Sequence, residues 1–182
     1  LDAPSTGHAV ALLGAPATYS HMGGGKVRAE AQVLAGHLAT APPTAIVGVA
    51  EPSELPVSEL LFLEQGLREH VGRGLTAVVV NRRMAARFTA RDLSRIDAAA
   101  GGDRAARACG QYRRRCVRQD AQVARLDAEL DLPRAELPLV AGEDLAPDDV
   151  VALSRVLAPR LPELFVLDRA ASRSPASATP EP

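Results

Sequence analysis

The sequence predicts an α/β protein: a mostly parallel sheet flanked by helices, with a mainly helical insertion over residues 88–131. Three observations predict it. Residues 44–50 (TAIVGVA) and 75–80 (LTAVVV) are short β-branched runs without polar alternation, the pattern of strands buried on both faces of a parallel sheet. Between them, residues 53–71 place Val57, Leu60, Leu61, Leu63 (or Glu64) and Leu67 on one side of a helix. Strand, helix and strand in that order form a βαβ unit with a right-handed crossover.

The remaining elements follow in chain order. Residues 7–13 are apolar enough for a short helix that Thr6 can cap, and residues 14–25 (GAPATYSHMGGG) have loop chemistry. From Lys26 to about Thr40, Val27, Ala31, Leu34, Ala35 and Leu38 fall at three- and four-residue spacing, an amphipathic helix that Ala41-Pro42-Pro43 stops. The first strand, 44–50, is broken by Glu51-Pro52-Ser53. The next helix ends at Gly72 and Gly74, and the second strand stops at Asn81.

Residues 88–131 are rich in Ala, Arg and Asp, and Gly101-Gly102 divides a short helix from a longer one over 103–130. Residues 137–140 predict a third strand. A last helix covers 147–161, with Pro147 in its first turn and Asp148 and Asp149 at its positive end. The α/β core is thus expected over 1–87 and 132–167, the helical insertion over 88–131, and a small, polar, Pro-rich disordered tail over 168–182. Leu1-Asp2 followed by a Pro, Ser, Thr and Gly cluster reads as a strand end turning into a loop. The chain is therefore expected to be the C-terminal portion of a longer protein.

Composition excludes several function classes. The 182 residues are 47 % hydrophobic, enough for one sizeable core. Basic groups number 21 against 22 acidic ones, for a net charge of −1, which argues against a protein held to nucleic acid by bulk charge. Aromatics are 3 %, too few for base-stacking platforms. No apolar run approaches the roughly 18–20 residues that span a bilayer. Two cysteines make no disulfide scaffold, and the expected compartment is the cytoplasm. All basic residues but Lys26 are arginines, which limits lysine-dependent chemistry to one position.

In open parallel α/β sheets, ligands collect at the carboxyl ends of the strands. Asp2 with the 3–8 loop, Glu51, and Asn81 with Arg82 fall there. A carboxylate at a strand end suits Mg²⁺, held directly or through water. The amide of Asn81 offers a donor and an acceptor to a purine edge. Strand ends are also polar simply because loops begin there, so position alone leaves both readings open.

Residues 2–8, Asp2-Ala3-Pro4-Ser5-Thr6-Gly7-His8, precede an apolar helix with Leu12-Leu13 and Pro16. This stretch resembles the switch II segment of the ArsA-like ATPases. That family includes arsenite-pump ATPases, the targeting ATPases for tail-anchored membrane proteins, and bacterial relatives. Its common form is Asp-Thr-Ala-Pro-Thr-Gly-His; here Ala3-Pro4-Ser5 replaces the middle three. Further segments are similar in the same order: residues 49–56 with Glu59, the strand end Val78-Val79-Val80-Asn81-Arg82, Arg115 with Gln119, and Leu137-Pro138-Leu139 with Glu143.

The resemblance implies an incomplete P-loop NTPase fold, with ATP and Mg²⁺ as cofactors. It implies that Asp2 organises Mg²⁺ and the attacking water, while Thr6, Gly7 and His8 form a loop sensitive to the γ-phosphate. Asn81, with Arg82 beside it, would read adenine, and Pro138 and Leu139 would pack next to the base. The phosphate cradle itself needs a Gly-rich loop ending in Gly-Lys-Ser/Thr. Lys26 does not supply it: Ser20 stands where Gly is required and Val27 where Ser or Thr is required.

Cys109 and Cys116 would share one face of a helix but sit roughly 10 Å apart along it, too far to chelate one ion between them. His21, His37 and His70 are too dispersed for a site. Arg113, Arg114, Arg115 and Arg118 read as a solvated helix face, with Asp103, Asp120 and Asp127 nearby. Two functions are expected from these readings. One is the C-terminal part of a cytoplasmic ArsA-like ATPase, a homodimer or a heterodimer with a related ATPase, coupling hydrolysis to a conformational change for anion transport or protein targeting. A membrane-protein partner belongs to that reading, but neither nucleic acid nor direct membrane insertion does. The other is a non-catalytic interaction or regulatory subunit of the same fold, paired with an active ATPase.

Overall fold

A computed structural model describes residues 6–22, 24–39, 44–100, 103–142 and 144–164, apart from the side chains of 100, 163 and 164. The Asp2 segment, Glu143 and the 168–182 tail lie outside the described residues. Within them, three parallel strands form one sheet in the order β1 (Val47–Ala50), β2 (Ala77–Arg83), β3 (Arg134–Pro138). Helix α3 (Glu54–His70) connects β1 to β2. The pair α4 (Ala90–Ala100) and α5 (Arg104–Glu129) connects β2 to β3. Before the sheet come α1 (Thr6–Met22) and α2 (Gly25–Ala39); after it come α6 (Pro147–Leu157), a 3-10 turn and the short α7 (Leu161–Leu164).

Period-two alternation along β2 builds the two layers. Val78 and Val80 face α3 and α5, where they meet Ala50, Val57, Leu60, Leu67, Val123 and Leu126 in the main core. Ala77 and Val79 face the other way, into a smaller cluster with Ala135 that Leu137 and Leu157 of α6 cover. Two crossovers that step in the same direction with the same hand must lie on one face, which is why α3 and α5 share a layer. Leu67 and Leu126 are 0 % and 2 % exposed, so cutting either to Ala costs roughly 2–5 kcal/mol. The C-terminal half of α5 therefore belongs to the sheet's core, and its N-terminal half runs beyond the sheet with α4.

Three expectations need correction. Residues 14–22 are helix, not loop: α1 continues through Gly14 and Pro16. Pro16 forfeits one i−4 hydrogen bond, but Gly14 and Pro16 are buried and the packing against α3 outweighs that loss. A Cβ on Gly14 would touch His70 at 3.5 Å, and one on Gly66 would sit 2.9 Å from Val10 Cγ2. The pairs Val10–Gly66 and Gly14–His70 advance together, so α1 and α3 run in the same direction.

The first strand is not buried on both faces. Gly48 and Ala50 are buried, but Val49 is 62 % exposed, because no described element covers that side of β1 beyond Val47. The third strand begins three residues earlier than the apolar run suggests, at Arg134. Its polar positions are satisfied by ion pairs, so they leave no apolar signature. Smaller differences lie at two ends: β2 runs past its expected stop at Asn81 to Arg83, and the last α-helix gives way to a 3-10 turn after Leu157. Helices α2, α3 and α5 start and stop within a few residues of their expected ends, and Asp103 caps α5 by accepting the Ala106 N–H at 2.8 Å.

No helix among the described residues is long and apolar enough to cross a membrane.

Candidate functional site

The site lies where β2 and β3 end. The ladder between them is regular up to Val80↔Glu136, then shifts before Arg83↔Pro138, so β2 carries one extra residue, a bulge. Arg82 absorbs it with φ at 57°, the left-handed conformation that L side chains disfavour. Its N–H donates to Asn81 Oδ1 at 2.9 Å. That bond orients the Asn81 amide with its oxygen toward the bulge, and the oxygen keeps a second lone pair for a ligand. The Arg82 guanidinium donates to Glu51 Oε1 at 2.9 Å, joining the exits of β2 and β1.

The opposite wall is the exit of β3. Leu139 N–H donates to Arg83 O at 2.9 Å, which fixes Pro138 and Leu139 against the bulge. Asn81, Arg82, Pro138 and Leu139 line one cavity of about 270 Å³, together with Val140, Gly142, Asp144, Leu145 and Leu153 of α6. The structure thus brings together four of the residues that sequence reading singled out, from two distant segments. Among the described residues, Asp144 is the one further charged group on the lining.

Along the same strands and α5 runs a row of alternating charges. Arg83 of β2 donates to Asp120 of α5 and, at 3.0 Å, to Glu136 of β3. Arg134 donates to Glu136 and, at 2.8 and 3.2 Å, to both oxygens of Asp127 on α5. Burial by itself pushes the Glu136 carboxyl up. The hydrogen bonds and charges of Arg134 and Arg83 outweigh it and hold the group below the usual carboxylate range. Burial likewise works against the two guanidinium charges, and their carboxylate partners reverse it, raising both.

Besides Asp120 and Asp127, helix α5 meets this site through one stripe. Tyr112 Oη donates to Ala85 O at 2.8 Å, and Cys116 Sγ to the same oxygen at 3.7 Å. Gln119, the next residue on the stripe, accepts from Met84 N–H at 2.8 Å and donates to Arg82 O at 3.2 Å. Phe88 packs edge-on against Tyr112, with ring centroids 5.8 Å apart. Sequence reading noted Gln119 and the shared face of the two cysteines. It missed that Cys109, Tyr112, Cys116, Gln119, Val123 and Leu126 recur at three and four residues, a single stripe whose lower end is core and whose upper end grips the loop.

The other candidates stand apart from this cavity. Thr6, Gly7 and His8 form the first turn of α1 and do not line it. Lys26 is exposed on α2, 3.6 Å from Glu30. Among the described residues no three His, Cys, Asp or Glu side chains converge as metal ligands, and both cysteines are free thiols. Arg114, Arg115 and Arg118 are exposed, as a solvated face should be, but Arg113 is half-buried with its Nε out of solvent and does not belong to that face.

No family model matches the chain, and no curated protein matches it.

Proposed function

We propose that the cavity binds the adenine base of ATP, and that the chain is the base-recognising, C-terminal part of a cytoplasmic ArsA-like ATPase of the P-loop NTPase type. What supports this reading is that Asn81, Arg82, Pro138 and Leu139 line one cavity at the carboxyl ends of parallel strands, where such sheets bind ligands. At about 270 Å³ it falls just under the roughly 300 Å³ at which pockets for drug-sized ligands begin, so it suits a planar base. The Asn81 amide pairs naturally with adenine, donating to N7 and accepting from the exocyclic amine; guanine presents an acceptor where adenine presents that donor.

The described residues fit the base and not the rest of the nucleotide. Lys26 has no Gly-rich cradle at a strand end, and no Mg²⁺ ligand set converges among them. On this reading Asp2, Thr6, Gly7 and His8 serve the phosphate end. The common direction of α1 and α3 is in keeping with that role, since both would then be helices that follow strands of one sheet.

The test is a calorimetric titration of the chain with adenosine and guanosine. Adenosine should bind at least about fivefold more tightly, and Asn81→Ala should erase the difference. A preference unchanged by Asn81→Ala ends the adenine assignment. In the parent protein, Asp2→Ala should abolish ATP hydrolysis; unchanged turnover removes Asp2 from the mechanism.

A second reading, a non-catalytic subunit that pairs with an active ATPase, draws on one observation. Tyr19 and Met22 of α1 and Val27 and Val33 of α2 are all more than half exposed, an apolar surface of the kind partners cover. Light scattering of the chain with and without such an ATPase separates the two: binding without adenosine affinity favours the second.

A further inference from the structure

We infer that Gln119 is a positioning residue that sets the base preference of the cavity, acting from α5 through the backbone of residues 82–84; this rests on the adenine reading above. Three bonds carry the inference. Gln119 Oε1 accepts from Met84 N–H at 2.8 Å and from Arg83 Nη1 at 3.4 Å, while Gln119 Nε2 donates to Arg82 O at 3.2 Å. The residue so clamped is the one with the disfavoured backbone, Arg82 at φ 57°. A left-handed arginine relaxes toward extended geometry unless its neighbours hold it. Gln119 supplies that hold on the carbonyl of Arg82 and on the N–H two residues later.

Both walls of the cavity depend on this clamp. On one side, Arg82 N–H reaches Asn81 Oδ1 at 2.9 Å only while the bulge persists. On the other, Arg83 O accepts the Leu139 N–H at 2.9 Å, so a shift of residue 83 moves the Pro138–Leu139 wall as well. The chemistry also selects the residue type. A primary amide presents a donor and an acceptor at one tip; a carboxylate there would keep Met84 and Arg83 but face Arg82 O with a second acceptor. Tyr112 and Cys116 hold Ala85, one step further from the cavity, and make no bond to residues 82–84.

Two measurements on the chain test the inference, with Gln119→Ala and Gln119→Glu as variants. In the absence of ligand, amide hydrogen exchange should quicken at Leu139 in both variants and at Met84 in Gln119→Ala only, with Val79 unchanged as the core reference. In calorimetry, the adenosine-to-guanosine affinity ratio should fall from at least about fivefold to near unity in both, with adenosine itself still bound. Leu139 exchange at the wild-type rate in both variants overturns the clamp. A wild-type preference that persists in both variants overturns the inference and leaves the adenine reading standing. A wild-type chain that binds the two nucleosides equally removes the adenine reading and the inference with it. If Gln119→Ala does not fold, Gln119→Glu decides alone.

Discussion

The carboxylate of Glu64, on the buried side of α3, accepts the backbone N–H of Leu75 at 2.5 Å. Glu64 is 6 % exposed and its other oxygen takes the Arg68 guanidinium, also at 2.5 Å. The carboxylate lies over Gly74, where a Cβ would fall inside contact distance of both its oxygens. One glutamate thus ties the crossover helix to the segment that leads into the central strand.

That arrangement predicts a coupled pair. Glu64→Ala leaves a buried N–H without a partner and should cost about 2–3 kcal/mol. Gly74→Ala forces the carboxylate aside and should cost about 1–3 kcal/mol. The double variant should lose at least about 1 kcal/mol less than the two together, because the new methyl occupies space the carboxylate vacated. Urea denaturation of the four proteins measures this, and strict additivity would show that Glu64 and Gly74 do not constrain one another.

Close packing of α1 on α3 makes a substitution change sign with its background. Gly66 stands inside α3, where Ala is favoured by about 1 kcal/mol, but its Cβ would lie 2.9 Å from Val10 Cγ2. Gly66→Ala should therefore be neutral or destabilising in the wild type and stabilising by about 0.5–1 kcal/mol in a Val10→Ala background. Thermal melts of both pairs decide it; the same sign in both backgrounds would mean that α1 does not rest on Gly66.

Those same contacts explain what the sequence could and could not reveal. The inner face of α3 was legible because Val57, Leu60 and Leu67 repeat with the helix, and the start of α5 because Gly101-Gly102 divides it from α4. Residues 14–22 were not, since Gly14 and Pro16 read locally as loop and only the distant face of α3 makes them helix. Strand β3 hid behind Arg134 and Glu136, whose charges are satisfied by Asp127 on α5 and by Arg83 on β2. Exposure of Val49 depends on what lies beside the sheet, which a local pattern cannot encode. At the candidate site, Asn81 and Arg82 followed from a strand end. Pro138 and Leu139 needed the resemblance, while the grip of Gln119 needed the α5 stripe to be followed above the core.

The row of charges at Glu136 predicts a definite pH dependence. Its carboxyl is held below the usual range when folded, so the unfolded chain takes up the proton first on acidification. The stability it contributes is complete above the unperturbed value of about 4.3 and is lost as pH falls through the lower folded value. Glu136 is about a third exposed, and screening keeps the gain under about 1 kcal/mol. Urea midpoints should place Glu136→Gln below wild type at pH 7 and level with it at a pH below the lowered value of the folded carboxyl, where both side chains are neutral. A gap equally wide at both pH values would assign the loss to packing and not to charge.

Backbone strain at Arg82 separates two roles that one side chain combines. Its left-handed φ costs an L residue about 1–2 kcal/mol, while its ion pair to Glu51, exposed on both sides, returns about 0–1 kcal/mol. Arg82→Ala removes the pair and keeps the strain. Arg82→Gly removes both, at an entropic cost in the unfolded chain of about 0.4–1 kcal/mol. Arg82→Gly should therefore be the more stable variant, by roughly 0.5–1 kcal/mol. Because glycine keeps the bulge and the N–H that reaches Asn81 Oδ1, it should also keep the wild-type adenosine-to-guanosine ratio. Melting temperatures and the two calorimetric titrations check both halves. If Arg82→Gly melts below Arg82→Ala, the strain at position 82 is absent in solution; if Arg82→Gly loses base preference, the guanidinium and not the bulge sets it.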